Sequence, residues 1–347
     1  MSTVAAAARV LGAPRPRSHG VWSLAARRLR HDRFGMIALA VVGLFMIMVV
    51  LVSLHLLAAD WADERGMHYA NPTFMGPGPD DLAMIEPPPG HMLDLSAVDP
   101  LAPHYADIER RTRELQTTVR PRVRTLPFGG DRYGRDVLKK AIKGSQVSIV
   151  VGLASAVVAT FIGSVLGGFA GFFGGRIGDA LEWLYNVFTS VPYILLVFAF
   201  AAVSGRSIAS VIVILGLTGW TGVYRLLRAE YIKHSNREYV RAAQAIGAGS
   251  MSRMFVHILP NVSHVILVQL SLNVVGFIKA EVILSFLGLG VSVDSVSWGT
   301  MLNEAQTELI LGKWWQLAAA TFFMAVFVTA FSVFTDSLRD ALDPKLR

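Results

Sequence analysis

The chain contains no cysteine among its 347 residues, which excludes a disulfide framework, thiolate chemistry and a cysteine-bound metal centre. It is also short of charge. Asp, Glu, Lys and Arg make up 16% of it against 53% hydrophobic residues, where soluble proteins carry about 25% charged. So apolar a chain cannot hide its surface in a water-soluble core, and it reads as a polytopic membrane protein. There is no G-x-x-x-x-G-K-[ST] run, and hence no loop of the kind that cradles the phosphates of ATP. H-E-x-x-H and G-x-S-x-G are missing too, and the nine histidines are scattered. His257 and His264, seven apart, read as surface histidines rather than metal ligands. With no nucleophile paired to a base, the chain is expected to be no enzyme, with no metal and no cofactor of its own. Its formal charge of +7 fits basic residues retained on one side of a membrane, and nucleic acid is not expected as a partner.

What is there is a series of apolar runs. Residues 1–33 hold seven arginines and one acid, Asp32, and read as a cytoplasmic tail, disordered over 1–20 and turning into a basic surface helix from Trp22. Residues 34–57 contain no Asp, Glu, Lys or Arg, too long a run for a signal-peptide core and enough to cross about 30 Å of hydrocarbon. Residues 58–145 then form a polar insert, rich in proline from Pro72 to Pro103, expected to be external and irregular. At its end Val137, Leu138, Ala141 and Ile142 share one face opposite Lys139, Lys140 and Lys143, the pattern of an interfacial helix. Five more apolar runs follow at 146–173, 180–204, 208–226, 261–285 and 315–336, which with the loop 227–260 form the core 146–336. Residues 337–347 close the chain as a tail. Six spans put both termini and the loop 227–260 in the cytoplasm, in accord with Arg228, Lys233, Arg237, Arg241 and Arg253 in that loop. The expected fold is therefore all-α with six transmembrane helices. Pro192 falls mid-span and predicts a kink.

Within the loop, residues 239–261 read YVRAAQAIGAGSMSRMFVHILPN. Strong helix formers run to Ile246, Gly247 offers a left-handed stop, and Ser250 is placed to cap a second short helix. Met251, Phe255 and Ile258 recur on one face of it, and Pro260 ends or bends what precedes it. Ala242-Ala243, three residues, Gly247, nine residues and then His257-Ile258-Leu259-Pro260 resembles the EAA loop of ABC importer permeases; the family's Glu is Arg241 here. The ending HILPN, the run Phe128–Leu138 (FGGDRYGRDVL), and FLGLG, SWG and LRDALDP further on are similar to the dipeptide/oligopeptide/nickel branch, with Gly130 in place of a threonine. The resemblance covers 126–347 closely and 22–57 loosely, leaving the insert apart.

That resemblance implies a type I ABC importer permease fold in a bacterial inner membrane. It implies a homologous permease partner, two cytoplasmic ATPase subunits binding ATP and Mg, and an external solute-binding protein. It also implies ATPase coupling through Arg241, Ala242, Ala243, Gly247, Met251, Phe255 and Pro260. Polar residues inside the spans suggest a solute path. Glu182, Asn186, Thr189 and Tyr193 recur on one face of the third span, as do Gln269 and Asn273 on the fifth, although helix-to-helix hydrogen bonds would explain them equally. Two other readings are an ATP-independent channel or secondary carrier, and a sensor whose insert binds a ligand. The first would want ionisable pairs deep in the spans, whereas Glu182, Lys279 and Glu281 lie near span ends.

Overall fold

A computed structural model describes residues 27–78, 100, 102–115, 122–292 and 294–342. Residues 27–31 are helical, where the basic surface helix is expected. The tail before them, the proline-rich 79–99 and the last five residues lie outside the described part. Helix α1, Arg33–Ser53, starts where the Asp32 carboxylate accepts the Phe34 N–H at 3.1 Å. Strand β1, Gly66–Pro72, helix α2, Tyr105–Leu115, and strand β2, Val123–Leu126, follow. The long helix α3, Val137–Phe173, leads to α4, Gly175–Thr189, and α5, Tyr193–Val203. Helices α6, Ile208–Thr218, and α7, Thr221–Ser235, precede the short α8, Glu238–Ala245. Helix α9, Ser250–Phe286, α10, Trp298–Ile310, and α11, Trp315–Leu342, complete the described part. Among the described residues, five helical passages (α1, α3, α6 with α7, α9 and α11) are long and apolar enough to cross a bilayer, and α4 with α5 makes a sixth if that bent pair is one span.

Helix α3 is the centre against which the others pack. Its glycines at 163, 167 and 171 lie against the backbone of α7: a β-carbon at Gly163 would come within 2.6 Å of the Trp220 carbonyl oxygen, and one at Gly167 within 2.6 Å of that of Tyr224. The glycine groove thus brings two helices of the same chain together, small residues doing in lipid what hydrophobic contrast cannot. One apolar core joins α1, α3, α6, α9 and α11, with Phe45, Ile149, Leu215, Ile278 and Phe327 buried in it.

Several boundaries differ from the sequence expectation. At Pro192 the chain breaks rather than kinks. Helix α4 ends at Thr189, α5 begins after Pro192, and the two bend by 80°. Proline offers no N–H and pushes the residue before it out of helical geometry. The predicted interfacial helix is the first turns of α3, and Val137 and Ala141 are buried against Val296, Met301 and Trp315 instead of facing lipid headgroups. The insert is not wholly irregular, because β1 and β2 pair in parallel. Helix α10 has no counterpart among the apolar runs. Ser297 and Thr300 start it with a reciprocal cap, each side chain accepting the other's backbone N–H, at 3.2 and 2.9 Å.

The motif ending the insert is knitted by one carboxylate. Asp131, fully buried, accepts the N–H groups of Tyr133 and Arg135 at 2.9 and 3.0 Å and the Lys140 ammonium at 2.7 Å. Asp136 caps α3 through the N–H groups of Leu138 and Lys139. Gly134 turns the loop at φ +79°, and a β-carbon there would fall onto the Gly66 carbonyl oxygen. The Trp315 indole closes the assembly by donating to the Gly130 carbonyl at 2.8 Å.

Candidate functional site

At the end of the bundle where α3 finishes, α7 runs on to Ser235, α8 follows, and the chain reverses into α9. The reversal is a double-bonded C-cap: the Gly247 N–H bonds the Gln244 carbonyl at 3.0 Å and the Ala248 N–H that of Ala243 at 2.9 Å. Gly247 sits at φ +93° with open space around it, so its backbone conformation, not its size, is what a side chain would oppose. Arg253 then pins α8 to the start of α9, donating to Gln244 Oε1 at 2.6 Å and to Ser250 Oγ at 3.2 Å, with its guanidinium 5.5 Å from the Phe172 ring centroid. Val240, Met254, Ile258 and Tyr231 bury the inner side of this unit.

The outer side is apolar and open. Ile246 is 86% exposed, Val256 64%, Met251 51% and Phe255 42%, and Arg241, Ala242, Gly247 and Pro260 are exposed beside them. Of the expected coupling residues, Ala243 departs: it is buried at 5% and faces into the chain. Ile258 is also buried, so the expected stripe through Met251, Phe255 and Ile258 splits between two faces. Ser250 is not the cap; it is the first helical residue, after Gly249. Nor does Pro260 end a helix. Residues Arg253–Ile258 form a π-helical turn, with the Leu259 N–H reaching back to Met254, and α9 continues through it. The wider turn accommodates a residue that has no N–H and whose ring crowds the preceding turn. The sequence pattern does not single out Ile246 and Val256, although each adjoins a residue that it does.

The polar positions of the spans fall into two groups that no single wall joins. On α4, Glu182 accepts the Tyr224 hydroxyl at 3.2 Å and pairs with Arg228 of α7 at 3.3 Å, while Asn186 and Thr189 are exposed. Thr189 gives its hydroxyl proton to the Tyr185 carbonyl. Tyr193 lies beyond the break, at the start of α5, so the face expected to continue from Thr189 does not. On α9, Asn273 donates to Thr160 Oγ1 of α3 at 3.1 Å, the helix-to-helix bond of the competing account, and Gln269 is partly exposed. Lys279 is exposed, and Glu281 is buried with Ser285 Oγ donating to it at 2.7 Å. Among the described residues no cluster of His, Asp and Glu suits a metal ion.

The outer side of the Gly247 turn is thus an open apolar crest at one end of a membrane bundle. Residues 163–347 match the family model of the binding-protein-dependent transport system inner membrane component. The chain is 39% identical over 220 residues to the dipeptide transport system permease protein of Bacillus subtilis (strain 168), covering 63% of this chain and 69% of that one. It is 35% identical over 246 residues to the oligopeptide transport system permease protein of the same organism, 71% and 80% of the two chains. A di/tripeptide transport system permease protein of Pseudomonas aeruginosa (strain UCBPP-PA14) is 36% identical over 220 residues, 63% and 72% of the two. The chain belongs to the family of binding-protein-dependent transport system inner membrane components. It is an inner-membrane transport protein, the transmembrane subunit of an ABC importer.

Proposed function

We propose that this subunit imports short peptides, working with a homologous permease subunit, two cytoplasmic ATPase subunits and an external solute-binding protein. ATP and Mg bind to the ATPase subunits, and both termini of this chain lie in the cytoplasm. The observation that carries the coupling role is the crest of Ile246, Met251, Phe255 and Val256 around the Gly247 turn. Closure of the ATPase pair on ATP draws the two crests of the permease pair together, and the helices they continue into, α9 here, tilt to open the path outward. Hydrolysis returns them. Such coupling needs the crest to bind the ATPase differently in the two states. Asn186, Thr189 and Gln269 face the path and the partner subunit completes its wall; Glu182 holds α4 against α7 at its edge. Peptide as solute rests on the names of the relatives.

The test uses the assembled importer in proteoliposomes with its binding protein. Phe255→Ala removes an aromatic anchor worth about 2 kcal/mol at such an interface, and Gly247→Val forces a β-branched residue to positive φ at a cost of about 1–3 kcal/mol. Either variant is expected to assemble, yet to lose most peptide-stimulated ATP hydrolysis and uptake together. Normal uptake by both would overturn the coupling role. Uptake that ignores ATP would favour a secondary carrier.

A further inference from the structure

At the opposite end of the bundle, a cavity of about 250 Å³ lies between the 130–136 loop, β1, the turn before α6, and α10. Six charged residues line it: Arg132, Arg135, Lys140, Arg206, Glu304 and Glu308. Lys140 is committed. Its ammonium, 1% exposed, donates to Asp131, to Glu304 and, at 3.4 Å, to Gln316. Glu308 is not committed. It is 1% exposed, and neither carboxylate oxygen meets a hydrogen-bond donor in good geometry. The buried Nε of Arg135 likewise has no acceptor. The guanidinium groups of Arg132 and Arg135 lie 4.6 and 4.7 Å from the Tyr133 ring centroid, and that ring restrains both. Among the described residues no carboxylate pairs with Arg132, Arg135 or Arg206.

A buried acceptor and a buried donor left unmatched in one cavity are costly, and together they specify what would match them. We propose that the cavity is a binding subsite for a short zwitterionic peptide, its ammonium on Glu308 and its carboxylate on the Arg132, Arg135 and Arg206 guanidinium groups. The subsite deepens, and rests on, the peptide-import reading. Planar guanidinium forks suit a carboxylate, and a buried carboxylate lacking a well-formed hydrogen bond suits an ammonium. The volume falls below the ~300–1,000 Å³ of clefts for larger ligands, which limits the occupant to a dipeptide or a similarly small zwitterion. Glu308 reports its own occupancy through pH, since burial pushes its carboxyl up to about 7. Asp131, Arg132, Arg135 and Lys140 face it from the loop and α3, Glu304 from α10, Tyr69 from β1 and Arg206 from the turn before α6.

The experiment titrates the assembled importer in nanodiscs, without binding protein or ATP, with L-alanyl-L-alanine, its N-acetyl form, its C-terminal amide, and acetate. The free dipeptide is expected to bind saturably, and blocking either end should weaken binding by about tenfold or more. Its affinity should rise between about pH 6 and 7.5 as Glu308 ionises, and Glu308→Gln should abolish that rise. Arg206→Gln should weaken the free dipeptide but not its amide. Equal binding of free and blocked peptides, or no saturable binding, overturns the subsite; acetate binding as well as the dipeptide marks an anion site only and also overturns it. Uptake measured in parallel with binding protein keeps the two readings apart. Peptide uptake without cavity binding sinks the subsite alone, whereas absence of peptide uptake sinks the import reading.

Discussion

Asp131 and Glu308 both lie near the Lys140 ammonium, but of the two only Asp131 hydrogen-bonds it. Asp131 has two backbone N–H groups and Lys140 as partners and is satisfied in its buried position. Glu308 is equally buried, and desolvation raises its carboxyl from the ordinary 4.5 to about 7, outweighing the Lys140 charge and the Arg132 backbone N–H that favour its ionised form. The folded protein therefore holds a proton on Glu308 that the unfolded chain has released between those two pH values. By linkage the stabilising contribution of that proton is present below pH 4.5 and is lost as pH rises through about 7. Glu308→Gln keeps the shape and removes the titration. Its melting temperature in detergent, relative to wild type, is expected to climb from pH 5 to about pH 7 and then level off. Each pH unit within that window changes the difference in unfolding free energy by about 1.4 kcal/mol at most. A constant difference across that range would show that Glu308 is ionised in the fold.

At the scale of elements, the contact between α3 and α7 decides how the bundle holds its functional end. Gly167 brings the two backbones together, and α7 leads straight to α8 and the crest. Gly167→Leu is expected to force α7 away from α3 at the Tyr224 carbonyl, and overpacking of this kind costs about 1–3 kcal/mol or more. Reduced assembly with the partner subunits, read by co-purification, should accompany a lower melting temperature; wild-type values for both would show that the groove is slack. The π-helical turn at Arg253–Ile258 has a different consequence. One extra residue in a turn rotates what precedes it by about 100° about the helix axis. Ile258 is buried beside Met254 while Met251 and Phe255 point out, although a regular helical wheel drawn from the sequence puts Met251, Phe255 and Ile258 on one face.

Across the whole molecule, the two ends carry different surfaces. One bears the apolar crest of α8 and α9; the other bears β1, α10 and the charged cavity. The proposed topology puts the crest inside and the cavity outside. Cysteine at Met75, 52% exposed beside β1, should react with a membrane-impermeant maleimide in spheroplasts, while cysteine at Ile246 should react only after lysis. The reverse pattern would invert the topology and with it the assignment of both ends. Ala70 is useless for this purpose, being fully buried under the loop at Gly130.

The apolar runs, the stop at Gly247 and the order of the motifs are legible in the sequence because each depends on neighbours a few residues apart: hydrophobic length, helix propensity and a glycine's freedom at positive φ. The family follows from the same local signals. Which side of α8 faces inward is not local, so the motif and the spacing put Ala243 and Ile258 on the docking face although packing buries them. Nor does the sequence tell that α9 runs through Pro260, because a wide turn accommodates the proline. Spacing aligns Tyr193 with Thr189, and an 80° break separates them. The ion cluster shows the reason most plainly. Lys140 meets Glu304 across 164 residues of chain and Gln316 across 176. No period or spacing records such a meeting; it exists only once α3, α10 and α11 have packed, and that same packing leaves Glu308 buried with no well-formed hydrogen bond.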